Sequence, residues 1–180
     1  MSNRYLTLPN ALSILRIFLL IPIVLLYYND FFILTFALFF ISAISDALDG
    51  RIARAWNMES DFGRMLDPLA DKITFVSLIV LFGWNTLFHG GIATLVILEL
   101  CLFIVGTDAY YNPYPNGYFI LGANKFGKAK TGCETILIGL LILWHFLNIP
   151  HAALLNILLF ICILLAIKSI IGHIRFKPLS

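Results

Sequence analysis

Four aspartates, Asp46, Asp49, Asp67 and Asp71, stand three or four apart within two short stretches of a chain that holds only ten acidic residues in all. Six of those ten acids fall between residues 45 and 72. On an α-helix, positions i, i+3, i+4 and i+7 share one face, so Asp46, Asp49, Gly50 and Ala53 form a stripe of acids and small residues. Gly63, Asp67 and Asp71 repeat the pattern at i, i+4 and i+8. Carboxylates concentrated in this way cannot all stay ionised in a semi-dry site unless cations neutralise them. With no His or Cys among them, the all-oxygen set selects hard divalent ions such as Mg²⁺, Mn²⁺ or Ca²⁺. Two such ions about 4 Å apart are a common device for displacement at phosphorus. Ion pairing to Arg51, Arg54, Arg64 and Lys72 is the competing explanation, but an interface has no need of four acids at these spacings.

The rest of the chain says where these acids sit. Its 180 residues are 61% hydrophobic and only 12% charged, with a mean hydropathy of +0.94, which excludes an ordinary water-soluble domain. A spanning helix needs about 20 mostly apolar residues. The runs at 11–28, 31–54, 66–83, 90–107, 130–147 and 151–172 meet that need and predict an all-α polytopic membrane protein with six transmembrane helices, a single domain over 1–180. Turn chemistry separates the runs: Asn29-Asp30, the glycines of 83–91, the Asn/Pro/Gly-rich 112–124, and Asn148-Ile149-Pro150. Asn10 and Arg16 interrupt the start of the first run and no small-residue cleavage site follows it, so it reads as a helix and not a signal peptide. Asp46 lies roughly 24 Å along the helix axis from Asp30 at about 1.5 Å per residue. In a core of about 30 Å this puts the acids near one membrane surface. Pro68 is expected in the opening turn of the third helix, where its missing N–H costs nothing.

With six spans, all twelve Lys and Arg fall on one side of the bilayer or in the helix ends facing it. The positive-inside rule makes that side cytoplasmic and puts both termini there. A net charge of +2 does not suggest a nucleic-acid partner. The basic side instead suits anionic headgroups or phosphates. A divalent-cation transporter would also use intramembrane acids, but it would spread them through the bilayer depth, whereas these cluster at one end.

The order Asp46-x-x-Asp49-Gly50-x-x-Ala53-Arg54, eight residues, Gly63-x-x-x-Asp67-x-x-x-Asp71 resembles the signature of the CDP-alcohol phosphotransferase (phosphatidyltransferase) family at every specified position and gap. The resemblance implies transfer of a phosphatidyl group from CDP-diacylglycerol to an alcohol, with release of CMP. It implies two divalent cations, Mg²⁺ or Mn²⁺, held by Asp46, Asp49, Asp67 and Asp71, with Asp71 also the catalytic base. Asp49, Gly50, Ala53, Arg54 and Gly63 would meet the nucleotide, and a homodimer in the cytoplasmic membrane is part of the same expectation. Thr7–Arg16 and Gly127-Lys128-Ala129-Lys130-Thr131 are similar to the phosphatidylglycerophosphate synthase branch, whose acceptor is the phosphorylated alcohol glycerol 3-phosphate. That branch usually carries an Arg-Glu pair in its fourth helix where this chain has Leu98-Glu99. A cardiolipin synthase, or another member with a different acceptor, is the alternative.

Lys125, Lys128 and Lys130, expected in the loop before the fifth helix and its first residues, either bind the acceptor phosphate or anchor the helix at anionic lipid. Arg16 either snorkels to the surface or reaches the active cavity. Glu99 and Glu134, single acids in apolar runs, are open to a helix contact or a functional role. Tyr110, Tyr111, Tyr114 and Tyr118 read as an interfacial belt, and Cys101, Cys133 and Cys162 as small buried hydrophobes.

Overall fold

The computed structural model of the chain describes residues 8–55, 61–111, 125–147 and 152–175; inside its helices, the side chains of 8, 9, 46–55, 61, 62, 64, 65, 108–111, 125 and 173–175 lie outside that description. The described chain is all-α: α1 (Leu8–Tyr28), α2 (Phe32–Ala55), α3 (Asp61–Gly83), α4 (His89–Tyr111), α5 (Lys125–Leu147) and α6 (Ala153–Arg175). Each apolar run of the sequence has become one helix. Four of them contain a stretch long and apolar enough to cross a bilayer: Asn10–Tyr28, His89–Thr107, Phe126–Leu147 and Ala153–Gly172. In α2 the apolar stretch Phe32–Ser45 is followed by the acidic stripe in the last turns of the helix. In α3 the charged residues occupy the opening turns. Large apolar side chains face outward along the helices, among them Phe18, Ile33, Phe40, Ile97, Ile104 and Phe160. Lipid is as apolar as they are, so exposure there carries no penalty; the protein is an integral membrane protein.

The chain divides into two compact units, Met1–Leu78 with Ile142–Ile149, and Ile79–Leu141 with Pro150–Ser180. In the first, α1 packs along α2, and Ile23, Phe39, Ala70, Phe75 and Leu78 are buried. The turn between the two helices closes on a left-handed residue, Asp30 at φ 61°. The Phe31 N–H bonds to the Leu26 carbonyl at 2.9 Å and the Asp30 N–H to that of Tyr27 at 3.1 Å. These are the two bonds of a Schellman cap, with aspartate where glycine is commoner; a short polar side chain tolerates that backbone better than most. Asn29 donates its side-chain amide to the Leu25 carbonyl at 2.7 Å. In the second unit α4 packs along α6 around Leu95, Leu155, Leu159, Cys162 and Ala166, all buried. Asn156 ties the chain entering α4 to α6 by accepting the Phe88 N–H at 2.8 Å.

Three sequence expectations need correction. The third helix starts at Asp61, not near 66, so Pro68 lies well inside it and deprives the Arg64 carbonyl of its partner. Hydropathy marks where a membrane segment begins, and acid at a helix start is favoured by the macrodipole, so the helix extends beyond the apolar run. Helix α5 likewise begins ahead of its apolar run, at Lys125, so all three lysines belong to its first turns and not to a loop. Cys101 is exposed and Cys133 half-buried, so only Cys162 is a fully buried small hydrophobe.

Candidate active site

The last turns of α2 carry Asp46, Asp49, Gly50, Ala53 and Arg54, all inside Phe32–Ala55. Helical register aligns the first four on one face; the side chains themselves lie outside the described residues. Gly63, Asp67 and Asp71 follow in the opening turns of α3, again on one face. Gly63 is buried. So is Ala70, one residue from Asp71.

Both described aspartates are held from α1. The Ser13 hydroxyl donates to Asp67 Oδ1, and the Arg16 guanidinium pairs with Asp71 Oδ1. Ser13 and Arg16 are about one turn apart on α1, as are Asp67 and Asp71 on α3, and both numbers rise together, so the helices run parallel through this contact. Arg16 therefore does not snorkel: its side chain is 6% exposed, while that of Asp71 is 44% exposed. The guanidinium braces the carboxylate from the protein side and leaves much of the acid's surface open.

Sequence reasoning passed over Asn10 and Ser13, which are buried with Arg16. A signal was there. Asn10, Ser13 and Arg16 are three apart in an otherwise apolar run, and a polar residue at every third position marks a helix face turned toward polar partners.

Lys130 belongs to the second unit. It pairs with Glu99 of α4 and with Glu134 one turn further along α5, at 3.2 Å. All three are buried; Glu99 makes the contact between α4 and α5, and Glu134 joins it from within α5. Lys128 is exposed. Two residues apart on a helix means about 200° around it, so the two lysines point to different sides.

As for a metal, no group of three or more His, Cys, Asp or Glu that could hold one occurs among the described residues; two of the four candidate acids, Asp46 and Asp49, have side chains outside them. The described pair fits a hard cation in donor type: both are carboxylates on one helix face, and the Asp71 side chain is 44% exposed.

The sequence profile of the CDP-alcohol phosphatidyltransferase family matches residues 6–169, which takes in α1, the aspartate motif and most of α6. The chain is 31% identical over 150 residues to a Cereibacter sphaeroides protein named CDP-diacylglycerol–glycerol-3-phosphate 3-phosphatidyltransferase, covering 76% of this chain and 63% of that one. It is 31% identical over 173 residues to a protein of the same name from Haemophilus influenzae, covering 93% and 91%. A cardiolipin synthase (CMP-forming) of Streptomyces coelicolor is 30% identical over 140 residues, covering 72% of this chain and 62% of the relative. The motif, the helices that carry it and a match over nearly the whole length agree: this chain belongs to the CDP-alcohol phosphatidyltransferase family.

Proposed function

We propose that the protein transfers the phosphatidyl group of CDP-diacylglycerol to glycerol 3-phosphate, forming phosphatidylglycerophosphate and CMP. The observation that carries this reading is the aspartate motif itself, with Asp67 and Asp71 one turn apart on α3 and Asp71 braced on one flank and open on the other. Relatives named for glycerol 3-phosphate as acceptor, one of them matched over 91% of its length, support the choice of alcohol.

Asp46, Asp49, Asp67 and Asp71 would hold two divalent cations, Mg²⁺ or Mn²⁺, which when bound neutralise the diphosphate and ease displacement at phosphorus. Gly50, Ala53 and Gly63 keep their helix faces low, so that the nucleotide can approach the backbone, with Asp49 beside it. Arg54 offers a forked donor to phosphate. Asp71 takes the proton of the attacking hydroxyl. The hydroxyl oxygen of glycerol 3-phosphate bonds to the lipid-side phosphorus, the bond from that phosphorus to the bridging oxygen breaks, and CMP leaves with the electron pair.

The acceptor brings a second phosphate, which needs a basic site of its own. Of Lys128 and Lys130, Lys128 is exposed and suits it, and Lys125 stands three residues before it in α5. Lys130 would have to leave two carboxylates to take part. The distribution of basic residues supports a cytoplasmic active site and cytoplasmic termini in the bacterial inner membrane. Labelling a cysteine at position 30 from outside intact cells tests that orientation, and labelling at position 58 instead would reverse it.

The activity is tested by incubating purified protein with CDP-diacylglycerol and Mg²⁺ or Mn²⁺ while offering glycerol 3-phosphate, phosphatidylglycerol, serine and inositol phosphate in parallel. Metal-dependent CMP release with phosphatidylglycerophosphate as the main product is expected. Faster product formation with phosphatidylglycerol would make the protein a cardiolipin synthase, and no CMP release with any acceptor would end the reading.

A further inference from the structure

We infer that α1 is a working part of the metal site: Ser13 and Arg16 are positioning residues that fix the carboxylates of Asp67 and Asp71 for the cations. The inference rests on the metal reading of the aspartates proposed above. The aspartate motif spans Asp46 to Asp71 and does not reach α1, where Ser13 and Arg16 stand.

Three observations lead here. The contacts come as two rungs, Ser13 to Asp67 and Arg16 to Asp71, so the two helices are matched turn for turn where the motif lies. Both α1 side chains are buried, whereas the Asp71 side chain they support is 44% exposed. A pair that serves only to link helices has no use for an open carboxylate, and Glu99 beside Lys130 is closed off accordingly. Lastly, Ser13 and Arg16 each meet an Oδ1 oxygen. A carboxylate has two oxygens and about four lone-pair directions, so one oxygen can be anchored while the carboxylate still ligates.

A neighbouring group of this kind acts on orientation. An aspartate has few rotamers, and a donor bonded to one oxygen selects among them before the cation arrives. Removal of such supporting contacts typically lowers metal affinity or activity about 10- to 100-fold. Loss of Arg16 would also leave the site more negative, which favours a cation, so the sign of the change is informative: orientation predicts weaker binding and simple charge competition predicts tighter binding.

The test is Mn²⁺ titration of the purified full-length chain in detergent, without lipid substrate, following the spectrum of free Mn²⁺ by electron paramagnetic resonance. Arg16→Met and Ser13→Ala are each expected to weaken Mn²⁺ binding about tenfold or more. Arg16→Lys, which keeps the charge and loses the fork, should recover part of the loss. A Ser13→Ala protein with wild-type affinity, or a folded Arg16→Met protein with wild-type or tighter affinity, would overturn the inference. Should Arg16→Met not fold, Ser13→Ala decides, since it removes one hydroxyl and no charge. Because the readout is binding of the metal alone, wild-type turnover with an unaltered Ser13→Ala affinity would reject this role and leave the proposed activity standing.

Discussion

The first unit pairs Arg16 with Asp71 and the second pairs Lys130 with Glu99 and Glu134, and the two clusters dispose of their charge in different ways. Around Lys130 everything is closed: its side chain is 5% exposed and that of Glu99 1%. Two carboxylates compete for one ammonium, and nothing of the group is left for a ligand. Around Arg16 only the cation is closed, and the acid faces outward. Desolvating both members of an ion pair costs several kcal/mol per ion before attraction returns it, so the closed cluster makes sense as a fixed link between α4 and α5. The half-open one makes sense where a carboxylate has to remain available. Whether a charge in a membrane protein serves structure or chemistry is therefore legible in which partner keeps its surface.

The sharpest way to break the comparison is at the open acids. Asp67→Asn and Asp71→Asn keep shape and remove a charged ligand, and each is expected to lower turnover by about a thousandfold or more, on the scale seen when a group acting in the transition state is lost. Asp46→Asn and Asp49→Asn should behave alike. CMP release at saturating Mn²⁺ measures it; any variant retaining more than about a tenth of wild-type activity is not a ligand. Asp71→Asn also takes the charged partner from the buried Arg16 guanidinium, so a lower melting temperature is expected beside its loss of turnover.

At the closed cluster the expectation is reversed. Removing one partner of a buried ion pair strands the other, typically at about 3–5 kcal/mol. Lys130→Met should therefore lower the melting temperature in detergent by roughly 10 °C, at about 2–4 °C per kcal/mol for a chain of this size. Glu99→Gln keeps the shape but lifts one of the two negative charges, and should destabilise less. The combined Lys130→Met, Glu99→Leu protein should regain part of the loss, since an apolar replacement of a buried pair is often neutral. A Lys130→Met protein as stable as wild type, with acceptor binding abolished, would return Lys130 to the phosphate site.

How much of this could be read in the sequence follows from which interactions are local. Runs of about 20 apolar residues must become helices in lipid because their backbone groups have no other partner there, so all six elements were legible. The charged end of α2 was legible too, within the run 31–54, but those of α3 and α5 were not, since these helices continue through Asp61 and Lys125 into residues that hydropathy scores as loop. The motif aspartates were legible by spacing within each helix. Their supports were not: Ser13 and Asp67 are 54 positions apart, and a polar residue on α1 does not name its partner. Lys130 shows both cases, with Glu134 legible at i+4 and Glu99 of α4 brought to it only by packing.

The smallest expected effect falls on Lys128, and it separates recognition of the acceptor from everything else. Lys128 is exposed on the second turn of α5, about 200° around the helix from the sequestered Lys130. Its ammonium is a strongly hydrated point charge, so trading water for phosphate yields only a modest net gain. Lys128→Gln should accordingly raise the KM for glycerol 3-phosphate about tenfold, equivalent to roughly 1.4 kcal/mol. The KM for CDP-diacylglycerol and the melting temperature should stay near wild type, because the side chain is buried against nothing. Initial rates with each substrate varied in turn measure the split. An equal rise for both substrates would make Lys128 a contact to anionic lipid at the membrane surface, and no rise for either would move the acceptor phosphate off the lysines of α5 altogether.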